Sequence, residues 1–145
     1  MTTISDTYNK MLAEGVNDAE RVGWGNANSQ KMRFSVLTEI GDLGNDTILD
    51  VGCGLGAYFD SIHNTYPNLS YTGVDINPNM IQEAQQRHSD IKFIHTDITS
   101  DTHALKGRKF DYVFLSGALN LSANKHRATI ENIMKEMFAL ANKGV

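Results

Sequence analysis

The chain has 145 residues and a formal net charge of −4, with 41% hydrophobic and 21% charged residues. This length suits one domain with its own hydrophobic core, and the composition excludes a disordered or fibrous chain. The acidic balance disfavours a nucleic-acid partner, because binding to phosphates requires an excess of lysine and arginine.

The first part of the chain predicts two helices before any strand. Residues 7–13 predict a short amphipathic helix, and an irregular segment is expected to follow it. A second helix is predicted to begin near Gln30 and to end at Gly41 or Gly44. The predicted buried face of this second helix consists of Met32, Phe34, Val36, Leu37 and Ile40.

Strands and helices alternate in the rest of the chain. Short apolar runs predict strands at residues 47–51, 70–75, 91–95 and 110–115. Helices are predicted at residues 57–66, at 78–88 with Asn77 as the N-cap, and at 126–142. The predicted inward face of the last helix consists of Ile130, Ile133, Met134, Met137, Phe138 and Leu140. This alternation predicts an α/β fold with a parallel sheet, helices on both faces, and a ligand beyond the strands' carboxyl ends.

A glycine-rich turn, DVGCGLG at residues 50–56, directly follows the first predicted strand and opens a helix. Glycine at positions 52, 54 and 56 allows a tight turn and lets a ligand approach the backbone closely. The alternative is that these glycines form a turn that binds no ligand. The acidic residues at the ends of the next two strands argue against this alternative.

Two acidic residues occupy the ends of the next two strands. Asp75 ends the second strand, where a carboxylate can accept hydrogen bonds from both ribose hydroxyls of an adenosine cofactor. Asp97 follows the third strand beside the apolar Ile98, and this pair can bracket an adenine edge. The turn and both carboxylates together predict a nucleotide-type cofactor site.

The glycines alone do not identify the cofactor. Gly52, Gly54 and Ala57 also satisfy the dinucleotide-binding pattern G-x-G-x-x-G/A, so the glycines do not exclude NAD as the cofactor. Asp50 discriminates, because a pyrophosphate favours a positive helix end without a neighbouring carboxylate. A ligand with an ammonium and a sulfonium group, as in S-adenosylmethionine, favours a carboxylate there.

Residues 48–117 resemble the class I, Rossmann-like S-adenosylmethionine-dependent methyltransferases. The run ILDVGCGLG at 48–56 resembles the first motif of that family, and GVDIN at 73–77 with Met80 resembles the second. TDI at 96–98 and FDYV at 110–113 are similar to the third motif and the fourth-strand motif. The resemblance implies that S-adenosylmethionine is bound by Asp50, Gly52, Cys53, Gly54, Gly56, Asp75, Ile76, Asp97, Ile98, Ser116 and Gly117.

The resemblance also divides those roles. The backbone around Gly52–Gly56 would hold the methionine part, with Ser116 and Gly117 facing the methionyl or sulfonium end. Asp75 would hold the ribose, and Asp97 with Ile98 would contact the adenine.

The segment before the first strand is expected to cover the cofactor, as the corresponding segment does in this family. Residues 1–29 would form this covering segment, and residues 30–145 the S-adenosylmethionine-binding domain. Trp24, Gln30 and Arg33 are expected to bind the cofactor, and Gln30 and Arg33 could bind its methionine carboxylate. The alternative is a solvated helix face with Trp24 as a packing residue.

Other reactive residues point to no further chemistry. Cys53 is expected to be a small residue packed in the turn rather than a nucleophile. The five histidines show no metal-ligand spacing, and His95 lies nearest the predicted site. No Asn-Pro-Pro-Tyr or Pro-Cys pattern of DNA methyltransferases follows the fourth strand. No catalytic base is identified.

The resemblance implies a sheet of about seven strands, whereas this chain ends where the fifth should begin. We therefore expect four strands in the order 3-2-1-4, with the fourth strand at an edge. An apolar edge promotes association, so an identical chain or a completing subunit is expected to cover it. A single cysteine and the lack of a secretory signal or an apolar run long enough to span a membrane predict a cytoplasmic protein without membrane association.

Three functions fit these observations. The first is a methyltransferase that acts on a small-molecule acceptor. The second is an enzyme that cleaves S-adenosylmethionine by lyase or hydrolase chemistry, and the third is a non-catalytic subunit that binds it. The fold does not choose between them.

Overall fold

The structure is a computed structural model, and it describes residues 4–119 and 127–145. Five parallel strands form one sheet in the order β3-β2-β1-β4-β5. The strands are β1 (Thr47–Val51), β2 (Ser70–Asp75), β3 (Lys92–His95), β4 (Phe110–Leu115) and β5 (Ala141–Gly144). The helices are α1 (Ile4–Glu14), α2 (Asp18–Arg21), α3 (Ala27–Thr38), α4 (Ala57–Ile62), α5 (Pro78–Arg87) and α6 (Arg127–Leu140).

The alternation of side chains along each strand divides the core between the two faces of the sheet. On β1, Ile48 packs into one apolar cluster and the next residue, Leu49, packs into the other. The Ile48 cluster includes residues of α3, α4 and α5, whereas the Leu49 cluster includes Met137 and Leu140 of α6. The predicted α/β fold, with helices on both faces of a parallel sheet, is confirmed.

The prediction of four strands is wrong. Residues 141–144, predicted as the end of a helix and the chain terminus, pair with β4 in parallel, with Phe110 opposite Ala141. The sequence ANKG has no strand pattern of its own. An extended chain beside β4 satisfies backbone groups that would otherwise stay unpaired, and this pairing ends α6 at Leu140. The edge of β4 is therefore covered by β5, and the two edge strands of the sheet are β3 and β5.

The predicted buried face of α3 is also wrong in part. Phe34 is buried and Leu37 half-buried, but Met32 and Val36 are 70% and 60% exposed. Because 3.6 residues complete one turn, positions 30, 34 and 37 share one side of the helix, and positions 32 and 36 lie on another, while Ile40 lies beyond the end of the helix. The inner side takes the polar Gln30, which is buried, while the apolar Ile40 is 41% exposed.

The same pattern occurs on α6. Met137 and Leu140 are buried and Ile133 is partly buried, as predicted. A second row with the spacing i, i+4, i+8 is exposed instead, and its residues are Ile130, Met134 and Phe138. Phe138 is 64% exposed. Each of these helices thus carries one apolar row toward the sheet and another toward solvent.

Smaller differences concern helix ends. The segment predicted to be irregular contains α2, whose N-cap Asn17 accepts a hydrogen bond from the backbone N–H of Glu20. Helix α4 ends at Ile62, four residues earlier than predicted. Asn77 caps α5 with Pro78 in its first turn, as predicted. His126 lies outside the described residues, and no helix in the described residues is long and apolar enough to cross a membrane.

Candidate functional site

A cavity opens where β1, β2 and β4 reach their carboxyl ends. Twelve of the fourteen residues predicted to bind the cofactor lie in its wall. These residues are Trp24, Gln30, Asp50, Gly52, Cys53, Gly54, Asp75, Ile76, Asp97, Ile98, Ser116 and Gly117. The fold therefore brings together residues that are up to 93 positions apart in the chain.

The other two predicted residues lie outside the cavity wall. Gly56 is the N-cap of α4 with φ 87°, and a Cβ there would lie 3.0 Å from the Phe93 ring. Arg33 is exposed, and its guanidinium carbon lies 5.1 Å from the centre of the Trp24 ring. Trp24 itself is 8% exposed and packs edge-on against Phe34, so it both anchors this segment and lines the cavity.

The glycine turn brings the backbone close to the cavity. Gly52 has φ 73°, and a Cβ at that position would lie 2.5 Å from the Cβ of Ala118. The N–H groups of Gly52 and Cys53 both donate to the carbonyl oxygen of Val74, at 2.8 and 3.0 Å. The turn is thus held against β2. Only glycine fits at position 52, where the loop after β1 meets the loop after β4 at Ala118.

Asp50 places a buried carboxyl group in the cavity wall. It is 5% exposed, and its Oδ2 accepts a hydrogen bond of 2.5 Å from the Tyr71 hydroxyl. Burial raises the pKa of Asp50 to about 7; the Tyr71 hydrogen bond opposes this shift, and the nearby charge of Asp75 adds to it. A cation in the cavity would favour the ionised form of this carboxyl group.

Asp75 is held by backbone donors. Its Oδ2 accepts from the N–H of Gly54 at 3.0 Å, and its Oδ1 accepts from the N–H of Asn77 at 2.9 Å. Burial raises the pKa of Asp75, and these hydrogen bonds to the charged form reduce the shift. Each carboxylate oxygen has a second lone pair, so Asp75 can still accept hydrogen bonds from a ligand.

Asp97 and Ile98 lie on the β3 side of the cavity. Ile98 is 4% exposed, while Asp97 is exposed and its Oδ1 accepts hydrogen bonds from the N–H and the hydroxyl of Thr99. The pair offers an apolar surface beside a carboxylate at the rim. This combination suits a flat, partly polar group such as a purine.

Cys53 is packed and not activated. It is 7% exposed, and burial, together with the charges of Asp50 and Asp75, raises the pKa of its thiol well above the usual value. A neutral buried thiol is a weak nucleophile, and this agrees with the interpretation of Cys53 as a small packing residue.

The histidines offer no metal site in the part of the chain that the structure describes. There, no group of three or more His, Cys, Asp or Glu side chains is placed to hold a metal ion. His95 lies outside the cavity wall, and its Nε2 lies 3.1 Å from the carbonyl oxygen of Ile76.

The sequence did not single out several residues of the cavity wall, among them Tyr8 and Tyr58. Tyr8 reaches the cavity from α1, and burial together with the charge of Asp75 raises the pKa of its phenol. No local pattern marks it, because Tyr8 comes near Asp75 only in the folded chain. The position of Tyr58 in the sequence could have predicted its place in the wall, because it lies two residues beyond the glycine turn, in the first turn of α4.

Polar contacts fix α1 and α2 to α5. Arg21 donates two hydrogen bonds of 2.8 Å to the carboxylate of Glu83 on α5. The Oδ1 of Asn9 on α1 accepts from the side-chain amides of Asn77 and Asn79, at 2.9 and 3.0 Å. These contacts hold Tyr8, Val22 and Trp24 at the cavity.

Comparison with known proteins agrees with this geometry. A family model described as a methyltransferase domain matches residues 48–144, about two thirds of the chain. The chain belongs to this methyltransferase family. The match begins in β1 and ends in β5, so it covers the whole sheet.

Curated relatives of this methyltransferase domain are longer proteins. Malonyl-(acyl-carrier protein) O-methyltransferase from Anoxybacillus flavithermus is 48% identical over 44 residues, which are 30% of this chain and 17% of that protein. The enzyme of the same name from Acetivibrio thermocellus is 30% identical over 116 residues, covering 77% of this chain and 40% of that protein. The chain thus spans less than half the length of these two relatives.

A solved structure shows the same fold. The N-methyltransferase NodS from Bradyrhizobium japonicum WM9, in complex with S-adenosyl-L-homocysteine, matches with a TM-score of 0.70 at 19% identity. The match covers 95% of this chain and 67% of the NodS chain.

Proposed function

We propose that this chain is the S-adenosylmethionine-binding part of a methyltransferase that acts on a small-molecule acceptor. The observation that carries the proposal is the placement of two carboxyl groups, Asp50 and Asp75, on either side of the glycine turn in one cavity. A methyltransferase family match over the same residues supports it.

The residues of the cavity fit S-adenosylmethionine in parts. Asp75 and the neighbouring Ile76 would hold the ribose, and Asp97 with Ile98 would hold the adenine. More residues would bind the methionyl and sulfonium end of the cofactor, near β1 and β4. They are Trp24, Gln30, Asp50, Gly52, Cys53, Gly54, Ser116 and Gly117. The glycine turn, in which a Cβ at Gly52 would collide, provides a close backbone surface for this end.

The chemistry requires alignment more than acid–base groups. When bound, S-adenosylmethionine supplies an electrophilic methyl group on a sulfonium. The role of this chain is to fix the sulfonium end near Asp50 and Ser116 and to exclude water from it. A proton on the acceptor would need a base, and we assign none.

We propose that residues 1–29 cover the cofactor and residues 30–145 form the binding domain. The support is that Tyr8, Val22 and Trp24 line the cavity, and that Arg21 holds this segment to the core domain through its two hydrogen bonds to Glu83 on α5. Arg33 would act through its contact with Trp24 rather than from the cavity wall.

The proposal of a small-molecule acceptor rests on the names of relatives and on charge. One relative is named as a malonyl-(acyl-carrier protein) O-methyltransferase. Another, from Escherichia coli O157:H7, is named as a trans-aconitate 2-methyltransferase. The net charge of −4 disfavours a nucleic acid. A cytoplasmic location remains our proposal, supported by the single cysteine, which is buried.

We also propose that additional polypeptide covers the exposed edge of β5, as an identical chain or as a completing subunit. The support is the exposed apolar row of α3 with Val36 and that of α6 with Phe138, which belong to helices on opposite faces of the sheet. We expect sedimentation to show species above the 16.1 kDa chain mass, and Phe138→Glu to reduce them. A monomer at micromolar concentration would exclude the identical chain.

The cofactor assignment is tested by calorimetry with S-adenosylmethionine, S-adenosylhomocysteine and NADH. We expect both S-adenosyl compounds to bind and Asp75→Asn to weaken them about tenfold or more, because it removes a charged acceptor. Asp90→Asn, at an exposed position outside the cavity wall, is the matched control and should change nothing. Binding of NADH alone would refute the assignment.

Turnover separates the methyltransferase from the other two functions. With labelled S-adenosylmethionine, S-adenosylhomocysteine should form only when an acceptor is added. Release of methylthioadenosine or methionine without an acceptor would indicate cleavage of the cofactor. Binding without any turnover across acceptors would indicate a non-catalytic subunit.

A further inference from the structure

One hydrogen-bond donor in the cavity wall has no partner. Trp24 is 8% exposed and lines the cavity, and no described residue accepts a hydrogen bond from its indole N–H. The described side-chain atoms that are both unpartnered and sealed from solvent belong to Tyr58, His88 and His103, so the indole nitrogen is not sealed. Buried donors are normally hydrogen-bonded, because leaving one unpaired is unfavourable. An accessible, unpartnered N–H in a cavity wall therefore points to a ligand.

The indole ring has a fixed place at the β4 end of the cavity. Its Nε1 edge faces Gly117, since a Cβ added at Gly117 would lie 3.2 Å from Nε1. Phe34 packs edge-on against the ring, and the guanidinium carbon of Arg33 lies 5.1 Å from its centre. The ring is thus held beside the loop after β4, next to the place proposed for the sulfonium.

The wall on this side also contains residues that the cofactor assignment does not use. Leu119 follows β4, and Thr129 and Ile133 lie one turn apart on α6. Asp75 and Asp97 follow β2 and β3, so the proposed adenosine end lies on the other side of β1. The β4 side of the cavity therefore suits the methyl acceptor, and its wall combines apolar side chains with neutral hydrogen-bonding groups.

The groups on this side define the acceptor. An indole N–H is a donor only, so the ligand atom that it contacts must be a hydrogen-bond acceptor such as oxygen. A carboxylate offers such an oxygen and is already ionised at neutral pH. In the transfer, a carboxylate oxygen forms a bond to the methyl carbon while the methyl–sulfur bond breaks, and the electron pair of that bond stays on the sulfur. No proton is released, which fits a site in which no base is assigned.

We propose that the Trp24 indole N–H donates a hydrogen bond to a carboxylate oxygen of the methyl acceptor, while Leu119 and Ile133 contact the apolar body that carries this carboxylate. The acceptor class is thus a carboxylic acid with an apolar chain, and the product is its methyl ester. This inference rests on the proposed function and adds a residue that orients the acceptor rather than the cofactor.

The single tryptophan of the chain makes NMR a direct test. In isotope-labelled protein saturated with S-adenosylhomocysteine, the indole N–H gives one resonance. We expect hexanoate to move the indole proton downfield, because it forms a hydrogen bond to the carboxylate. Hexylamine, which has the same chain without the carboxylate, should leave the resonance in place. This measurement uses wild type, so it does not depend on the folding of a variant.

A conservative variant supplies the second measurement. Trp24→Phe keeps an aromatic ring beside Gly117 and removes the N–H. It should weaken the binding of hexanoate to the S-adenosylhomocysteine complex by about tenfold or more, the usual range for a lost hydrogen bond to a charged group. The affinity for S-adenosylhomocysteine itself should stay unchanged. Tyr66→Phe, which removes a polar group outside the cavity wall, is the matched control and should change neither affinity.

The outcomes are distinct. An indole proton that hexanoate leaves in place, or that hexylamine moves equally, would overturn the inference and leave the proposed function intact. A loss of affinity for S-adenosylhomocysteine in Trp24→Phe as large as the loss for hexanoate would show that the N–H binds the cofactor, and this also overturns the inference. No binding of S-adenosylhomocysteine by wild type would overturn the proposed function itself.

Discussion

Replacing Asp50 with asparagine tests the energetic consequence of a buried carboxyl group at the proposed site. Asparagine has the same shape and keeps an oxygen that can accept the hydrogen bond from Tyr71. It cannot ionise, so the variant isolates the charge. We expect Asp50→Asn to be more stable than wild type without ligand at alkaline pH.

The magnitude follows from the pKa of Asp50, which burial raises from 3.8 to about 7. The folded state binds the proton more tightly, so stability is lost as pH rises from about 4 to about 7 and then stays constant. Three pKa units correspond to about 4 kcal/mol at 1.36 kcal/mol each. Between pH 5 and pH 8 the wild type should therefore lose about 2.5 kcal/mol relative to Asp50→Asn.

Urea unfolding of both proteins at pH 5 and pH 8 measures this difference. The two free energies of unfolding should diverge toward pH 8, with the variant more stable. Asp90→Asn, at an exposed position, should change stability by less than about 0.5 kcal/mol at either pH. A difference between wild type and Asp50→Asn that is the same at both pH values would refute the reasoning.

Three further results are expected. Below about pH 7, affinity for S-adenosylmethionine should fall toward tenfold per pH unit in calorimetry, because its ammonium requires ionised Asp50; a flat profile from pH 5.5 to 8 would contradict this. Gly117→Ala, which places a Cβ 2.7 Å from the Trp24 ring, should lower the melting temperature more than Gly107→Ala, whose φ is similar but whose surroundings are open. Equal melting temperatures of the two variants would show that Trp24 moves to make room for the added methyl group without loss of stability. Arg21→Ala, which breaks the ion pair to α5, should speed cofactor release severalfold in stopped-flow, and an unchanged rate would argue against a covering role for α1 and α2.

The sequence was sufficient for the elements whose signals are local. The runs at β1 to β4 are short, apolar and bounded by turn residues, and the N-cap at Asn77 with Pro78 marks the start of α5. The glycine turn and Asp75 were recognisable because fixed backbone geometry demands those residue types at those places. Twelve of the fourteen predicted residues line the cavity, and those outside the glycine turn and Asp75 were predicted largely from the resemblance to the methyltransferase family.

The remaining features depend on contacts between distant segments. Residues of β5 lack a strand pattern and become a strand only because β4 offers unpaired backbone groups. Several positions on α3 and α6 are apolar, and packing against the sheet decides which row is buried.

What the sequence by itself determined is the order of strands and helices and the chemistry at the ends of β1 and β2, because both follow from local backbone and side-chain preferences. Only the tertiary structure decided that Tyr8 and Tyr58 line the same cavity and that Asp50 is buried and hydrogen-bonded to Tyr71. The physical reason is that burial, and with it the pKa of Asp50 and the unpaired hydroxyl of Tyr58, is a property of neighbours that are far apart in the chain.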